Sequence, residues 1–414
     1  MKVLLAALGS AGDVFPVVGI GAELRARGHD VLVVTNPWFE ATIRGEGLGF
    51  APMGTADEYR RTSANPDLWN PRKAFAVVVR DGVVPAQGIV YDAIAKTKPD
   101  VVAATSLCLG ARTARDKLGV PLVTLHMQPS ILRSVEAPPY FPELPMPAWY
   151  PRFVVKGLFR LSDFLVIDPA IGPPLTEHRR SLGLPPVKRP FEAWIHSPDL
   201  VLGLFPDWFA APPSDWPRVF ETTGFVGYDG GAAAADRLDP HVESFLAAGS
   251  TPVVITPGSA NVHGREFFAA AMAACVALGR RALLLTPHEE QLPHTLPAGM
   301  AHAKYLPFSA VLPRAAAFVH HGGIGSLSQG LAAGVPQLLM PMAHDQPDNA
   351  VRAERLGVAA WIPARRWKAA AIAPALDRLL GDPEVSEACR SLAPRVAFAA
   401  SRRQAANAIL RVAR

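Results

Sequence analysis

The chain has 414 residues, half of them hydrophobic, with a net charge of +5. That length exceeds what a single core carries and predicts two domains, with ample apolar material for both. The charge is modest and no basic–aromatic run occurs, which excludes nucleic acid as a partner. No uninterrupted apolar stretch reaches 18 residues, so no membrane-spanning helix is expected. The short apolar start closes at Gly9-Ser10 and reads as a buried strand, not a signal peptide. A cytoplasmic protein is therefore expected. Cys108, Cys275 and Cys389 lie far apart without metal-ligand spacing and read as buried thiols.

Lys2–Leu8 is a continuous apolar run, as in a parallel strand covered on both faces. Gly9-Ser10-Ala11-Gly12-Asp13 reads as a tight loop. Val17, Ile20, Gly21 and Leu24 recur at helical spacing, with Pro16 near the start and Gly28 at the end. A second strand at 31–35 completes a βαβ unit of a doubly wound sheet. Strands are predicted at 101–105 and 121–125, with a helix at 111–118 between them. Residues 134–152 are rich in proline and aromatics and form a long loop, of the kind that is often functional. Residues 222–250, with Gly230-Gly231 and an alanine run, read as an interdomain linker.

The same grammar then restarts. Strands are expected at 253–256, 281–286, 315–320 and 335–340, with a helix at 266–278. A glycine-rich loop at Gly322, Gly323 and Gly325 leads into another helix. The domains expected are therefore 1–221, a linker at 222–250, and 251–414, with the last helix free to pack back on the first domain. The stretch from Trp361 onward holds ten Arg and Lys against four Asp and Glu. It reads as a solvated helical face, with anionic lipid headgroups as the alternative partner.

The most informative segment is His320-His321-Gly322-Gly323-Ile324-Gly325-Ser326, between a strand and a helix. Glycines admit a ligand close to the backbone, and the helix N-terminus favours an anion. Glycine for tight packing is the bland alternative. Tyr305, the loop His321–Ser326, Asp345-Gln346 and Asn349 together resemble the donor signature of nucleotide-sugar glycosyltransferases with the GT-B fold, two Rossmann-like doubly wound domains facing a cleft. That family includes plant secondary-metabolite and bacterial antibiotic glycosyltransferases.

The resemblance implies that Tyr305 stacks on the nucleobase. It implies that His321, Gly322, Gly323, Gly325 and Ser326 hold the diphosphate, and that Asp345 and Gln346 bind sugar hydroxyls. Gln329 stands where many members use Glu to grip the ribose. The opening Gly9–Pro16 segment resembles that of bacterial members and sterol glucosyltransferases. By that likeness Asp13 is the general base, and Ser10 and Gly12 lie near the phosphate. Pro66–Trp69, Trp194–Pro198, Phe205–Phe209 and Ala343–Gln346 resemble the bacterial rhamnosyltransferase subunit of rhamnolipid synthesis, some of whose relatives act on flavonoids.

Inverting transfer needs a base on the acceptor hydroxyl and neutralisation of a departing diphosphate. Asp13 fills the first role, with helix capping as its alternative. No Asp-x-Asp occurs, so no metal is expected; His321, the loop backbone and Ser259 serve instead. The donor, dTDP- or UDP-linked, is a co-substrate, and no cofactor is implied. For the acceptor, Trp69, Phe75, Val78, His126 and Tyr140 are the candidates, and ordinary core is the alternative for the apolar ones. The reading is L-rhamnose from dTDP-rhamnose to a 3-hydroxyalkanoyl-3-hydroxyalkanoate, or a sugar to a flavonoid. Peripheral association with the inner face of the membrane and a pathway partner subunit are further partners it allows. A catalytically silent nucleotide-sugar-binding auxiliary protein is the alternative of another class.

Overall fold

The computed structural model describes residues 1–230 and 238–413. The chain divides into two compact units, Met1–Val226 with Phe398–Arg414, and Gly227–Ala397.

In the first unit, seven strands form one sheet. They are β1 (Lys2–Ala6), β2 (Asp30–Thr35), β3 (Gly49–Pro52), β4 (Val101–Thr105), β5 (Leu122–His126), β6 (Leu200–Gly203) and β7 (Phe220–Thr222). Their order is β3-β2-β1-β4-β5-β6-β7, and the pairings are parallel. The central strands β4 and β5 are buried at every position, which is why they read as unbroken apolar runs. Helix α1 (Ala11–Ala26) starts earlier than its sequence suggested, because Ser10 takes the N-cap. The loop after β1 is correspondingly short. Helix α2 (Val84–Thr97) and helix α3 (Leu109–Leu118) cover one core with Leu4, Ala6 and Val102. The helical run Ala74–Thr97 that ends in α2 has the length and hydropathy of a membrane-crossing helix. It carries the Arg80–Asp81 ion pair, and it buries Val83, Ala86, Val90 and Ile94, as a core helix does. Beyond the proline-rich loop come α4 (Arg152–Ser162) and α5 (Asp168–Ser181), joined by a π-turn over Asp163–Ile167.

The second unit's sheet holds β8 (Val253–Thr256), β9 (Ala282–Leu285), β10 (Met300–Ala303), β11 (Ala317–His320), β12 (Gln337–Leu339) and β13 (Ala359–Trp361). Its order is β10-β9-β8-β11-β12-β13, again parallel. Helices α6 (Arg265–Ala277), α7 (Ile324–Ala333), α8 (Gln346–Arg355) and α9 (Ala369–Gly381) accompany it. Phe268, Cys275, Leu284 and Val319 share its main core, where Trp367 stacks flat on Phe267. All three cysteines are buried and free.

The expected linker differs from what the sequence suggested. Within the expected linker, Pro240–Ala247 is a helix whose Val242 and Leu246 enter a core of the second unit; residues 231–237 lie outside the described part. The last helix, α10 (Phe398–Val412), belongs to the first unit. It buries Ser401, Ala405, Ala406, Ala408 and Ile409, and Arg411 pairs with Glu221 at 2.6 Å.

Candidate active site

Each sheet reverses its strand order once, between β1 and β4 in the first unit and between β8 and β11 in the second. Ligands of open parallel sheets bind at such switch points, beyond the strand C-termini. Ser10, Gly12 and Asp13 lie at the first, and Ser259 and the segment His321–Ser326 at the second.

In the first unit the loop after β1 turns through Gly9, whose φ of +139° suits glycine alone. An added Cβ would lie 2.1 Å from Asp13 Oδ2, so the Asp13 carboxylate packs directly over Gly9. Asp13 stands in the first turn of α1, and its Oδ2 accepts from Ser10 N–H at 2.9 Å and from Ser10 Oγ at 3.4 Å. Ser10, not Asp13, is thus the N-cap, and Asp13 reaches back to it from the third helical position, as in a capping box. This orients the carboxylate and does not preclude chemistry. Gly12 lies in the same turn, with Ser10 Oγ nearest to it.

Asp13 has neighbours that the sequence reading missed. Burial and then the Asp13 charge push the Tyr59 phenol up to about 12. Burial, with a further contribution from Asp13, does the same for the Cys108 thiol. Tyr59 stacks on Trp38 (centroids 5.5 Å) and meets Phe39 edge-on, and Phe39 meets Phe15. Four rings from three elements thus cluster beside the candidate base. No spacing along the chain announces them.

The named acceptor candidates are dispersed. Phe75 and Val78 pack on a core cluster with Phe191 and Ile171. Trp69 closes a short 3₁₀ turn, Pro66–Trp69. His126, at the end of β5, is buried and places Nε2 3.1 Å from His196 Nδ1. Burial and His196 hold the His126 imidazole well below its usual range, and burial and Arg133 take His196 to about 4, so both are neutral. Tyr140 is exposed on the proline-rich loop. Asp215 pins the start of that loop by accepting from Ser134 Oγ and Val135 N–H, both at 2.6 Å.

The second unit's switch point is more tightly built. His320, the last residue of β11, is fully buried against Phe318. Its Nδ1 accepts from Gly322 N–H at 3.1 Å, so its proton sits on Nε2 and is donated to Gln337 Oε1 at 2.9 Å. Burial and neighbouring His321 lower it to about 3. His321 turns the other way. A Cβ on Gly323 would lie 2.5 Å from its Nε2, and one on Gly258 2.7 Å from its Cε1. Both loops, after β8 and after β11, therefore need glycine to seat this ring. Burial and His344 lower it to about 4, leaving it neutral, and its buried Nδ1 has no partner among the described residues.

Helix α7 starts at once, so Gly325 and Ser326 lie in its first turn and not in a loop. Asp345 and Gln346 face inward. Asp345 Oδ2 accepts from Ile324 N–H at 3.3 Å and Asn349 Nδ2 at 2.6 Å, and Gln346 Oε1 accepts from Met342 N–H at 2.8 Å. Asn349 Nδ2 also donates to Gly322 O at 3.0 Å. Burial pushes the Asp345 carboxyl up to about 6. His344, just before it, has a φ of +61°, a strained value for a non-glycine residue. Tyr305 exposes its ring while its hydroxyl donates to Asp229 O at 3.2 Å. Gln329 is buried in α7, and Ser259 is exposed on the loop after β8. Among the described residues, no group of three or more His, Cys, Asp or Glu is placed to hold a metal ion.

Comparison with known proteins agrees with the two-domain fold. The glycosyltransferase family 28 N-terminal domain matches residues 3–135, and the erythromycin biosynthesis protein CIII-like C-terminal domain matches residues 271–408. O-mycaminosyltylonolide 6-deoxyallosyltransferase of Streptomyces fradiae is 30% identical over 96% of this chain and 94% of its own. Glycosyltransferase GtfE of Amycolatopsis orientalis is 30% identical over 86% of this chain and 85% of its own. The solved glycotransferase of kitacinnamycin superposes with a TM-score of 0.76 at 23% identity, covering 100% of this chain and 99% of that one. The chain belongs to the nucleotide-sugar-dependent glycosyltransferases of the GT-B fold, in the macrolide, erythromycin CIII-like family.

Proposed function

We propose that this protein transfers a 6-deoxyhexose, L-rhamnose before others, from a thymidine diphosphate sugar to a hydroxyl of an apolar small acceptor. The observation that carries the donor half is the orphaned, buried Nδ1 of His321 beside the N-terminus of α7. A buried polar atom without a partner is costly. A diphosphate oxygen at that place would satisfy it, while the helix end stabilises the charge. The preference for a deoxy sugar draws on the name of the Streptomyces fradiae relative, a 6-deoxyallosyltransferase.

Asp13 acts as base. It takes the proton of the acceptor hydroxyl as that oxygen bonds to the anomeric carbon. The bond from that carbon to the diphosphate breaks, and the diphosphate leaves with both electrons. His321, as a neutral donor, and the α7 backbone receive the developing charge. Tyr305 stacks on the base, and Ser10 and Ser259 are further donors to phosphate. The rings of Phe15, Trp38, Phe39 and Tyr59 suit an apolar or aromatic acceptor. A 3-hydroxyalkanoyl-3-hydroxyalkanoate is the first acceptor of this class to try.

The test is a matrix of dTDP-rhamnose, dTDP-glucose and UDP-glucose against that acceptor and a flavonol, with chelator present, read by product mass. A deoxyhexose adduct supports the proposal. A hexose on the flavonol moves the function to a polyphenol glucosyltransferase. Nucleotide binding without any product would sink the catalytic reading in favour of an auxiliary protein.

A further inference from the structure

The exposed large hydrophobic side chains are not scattered. Of thirteen among the described residues, seven fall between Tyr140 and Val166, on the proline-rich loop, α4 and the π-turn after it. Trp149 is 77% exposed, Phe153 76% and Phe164 73%. At helical spacing Phe153, Gly157, Leu161 and then Phe164 and Leu165 form one outward stripe. Arg152, Lys156 and Arg160 form the next stripe beside it, and all three are exposed.

The inner face fixes this orientation. Val155, Phe159 and Asp163 are buried, Asp163 is ion-paired with Arg133 at 2.6 Å, and that guanidinium lies over the Phe159 ring at 5.3 Å. The outer face has no carboxylate at any exposed position from 152 to 166. Arg152 is bridged to Glu136 at 3.1 Å, whereas Lys156 and Arg160 have no ion pair among the described residues.

We infer that α4 and its π-turn lie in the surface of an anionic lipid bilayer. An apolar stripe flanked by cations, with an aromatic at its end, matches both requirements of interfacial binding: apolar burial and attraction to headgroups. A second copy of this chain would set cations against a face that offers no acid. The cation-rich stretch from Trp361 onward, where the sequence suggested headgroups, has no such anchor. None of the exposed large hydrophobics lies beyond Tyr305.

The test is co-sedimentation of the full chain with vesicles of phosphatidylcholine alone and of phosphatidylcholine with phosphatidylglycerol. The expected result is binding to the anionic vesicles that weakens with salt. Lys156→Gln with Arg160→Gln should weaken it about fivefold per cation, about 25-fold together. Phe153→Ser with Phe164→Ser should weaken it roughly tenfold or more. Far-ultraviolet circular dichroism and cooperative thermal unfolding matching the parent report that the variants are folded. The inference is overturned if the parent protein stays in the supernatant with both vesicles. It is equally overturned if the four substitutions leave partition unchanged, or if they only convert a dimer to monomers, which would assign the face to a second copy.

Discussion

Gly323→Ala tests whether His321 is the group that meets the diphosphate. Gly323 has φ −62° and ψ 143°, values that alanine adopts freely, so the substitution adds no backbone strain. Its Cβ, however, would sit 2.5 Å from His321 Nε2 and 3.2 Å from Cε1. Carbon contacts settle near 3.5–4.0 Å, so the ring must move by about 1 Å. Gly258 closes on the same ring and limits where it can go. A displacement of that size removes most of a hydrogen bond. A bond to a charged partner is worth about 1.5–3 kcal/mol, so thymidine diphosphate should bind about 10- to 150-fold more weakly. Titration calorimetry would measure it for Gly323→Ala, His321→Ala and the double variant. If the methyl acts through the ring, the double variant matches His321→Ala alone. Two penalties that add in the double variant would refute this account, as would an unchanged affinity in both single variants.

Other outcomes follow from the same geometry. Asp13→Asn keeps an oxygen for Ser10 N–H, so turnover should fall at least a hundredfold with unfolding unchanged; Asp13→Ala should in addition lose about 0.5–2 kcal/mol of stability in urea. His320→Phe fills the same slot beside Phe318 but strands Gly322 N–H and Gln337 Oε1, at a cost of about 2–4 kcal/mol in the same assay. Stability should also fall on acidification. His196, His320 and His321, lowered to about 4, 3 and 4, stay neutral in the folded chain while the unfolded chain protonates them near pH 6.5. Asp345, raised to about 6, opposes them, because the folded chain holds its proton where the unfolded chain has released it. Near pH 5 these four groups differ by about two protons, a slope of about 3 kcal/mol per pH unit, and His126, held neutral by burial, acts in the same direction. Urea unfolding at pH 7, 6 and 5 would show it, and a stability flat or rising toward pH 5 would contradict it.

The two sheets and the glycine turn after β11 were legible because their signals are local. A buried parallel strand must be an apolar run, and a backbone that approaches a ring or an anion must be glycine. Gly322 and Gly323 announced their place in this way. What depends on which way a side chain turns was hidden. Asp345 and Gln346 read as groups for sugar hydroxyls, and in the fold they also accept from Ile324, Asn349 and Met342. Phe75 and Val78 read equally as pocket or core, and they pack with Phe191. The rings beside Asp13 come from three elements, which only the folded chain assembles. The linker was misplaced at Pro240–Ala247 because a one-face helix of eight residues gives too little periodicity to separate it from polar loop.

The inward turn of Asp345 bears on how the donor loop would work. Gly322 is held at both ends of its peptide groups, its N–H by His320 and its carbonyl by Asn349. Asp345 holds Asn349 and the first N–H of α7, so strand β11, the glycine turn and two helices are tied into one network. The N–H groups of Gly325 and Ser326 come next, and helix geometry leaves them without intrahelical partners. A diphosphate arriving there would meet donors already in place, beside a neutral histidine with an unsatisfied nitrogen. Little ordering would then be needed on binding, and stabilisation would be ready when charge develops on the leaving oxygen. On this view Asp345 supports transfer by holding the loop. Its removal should then weaken nucleotide binding even when the nucleotide carries no sugar, whereas a residue that gripped only sugar hydroxyls would leave that binding untouched.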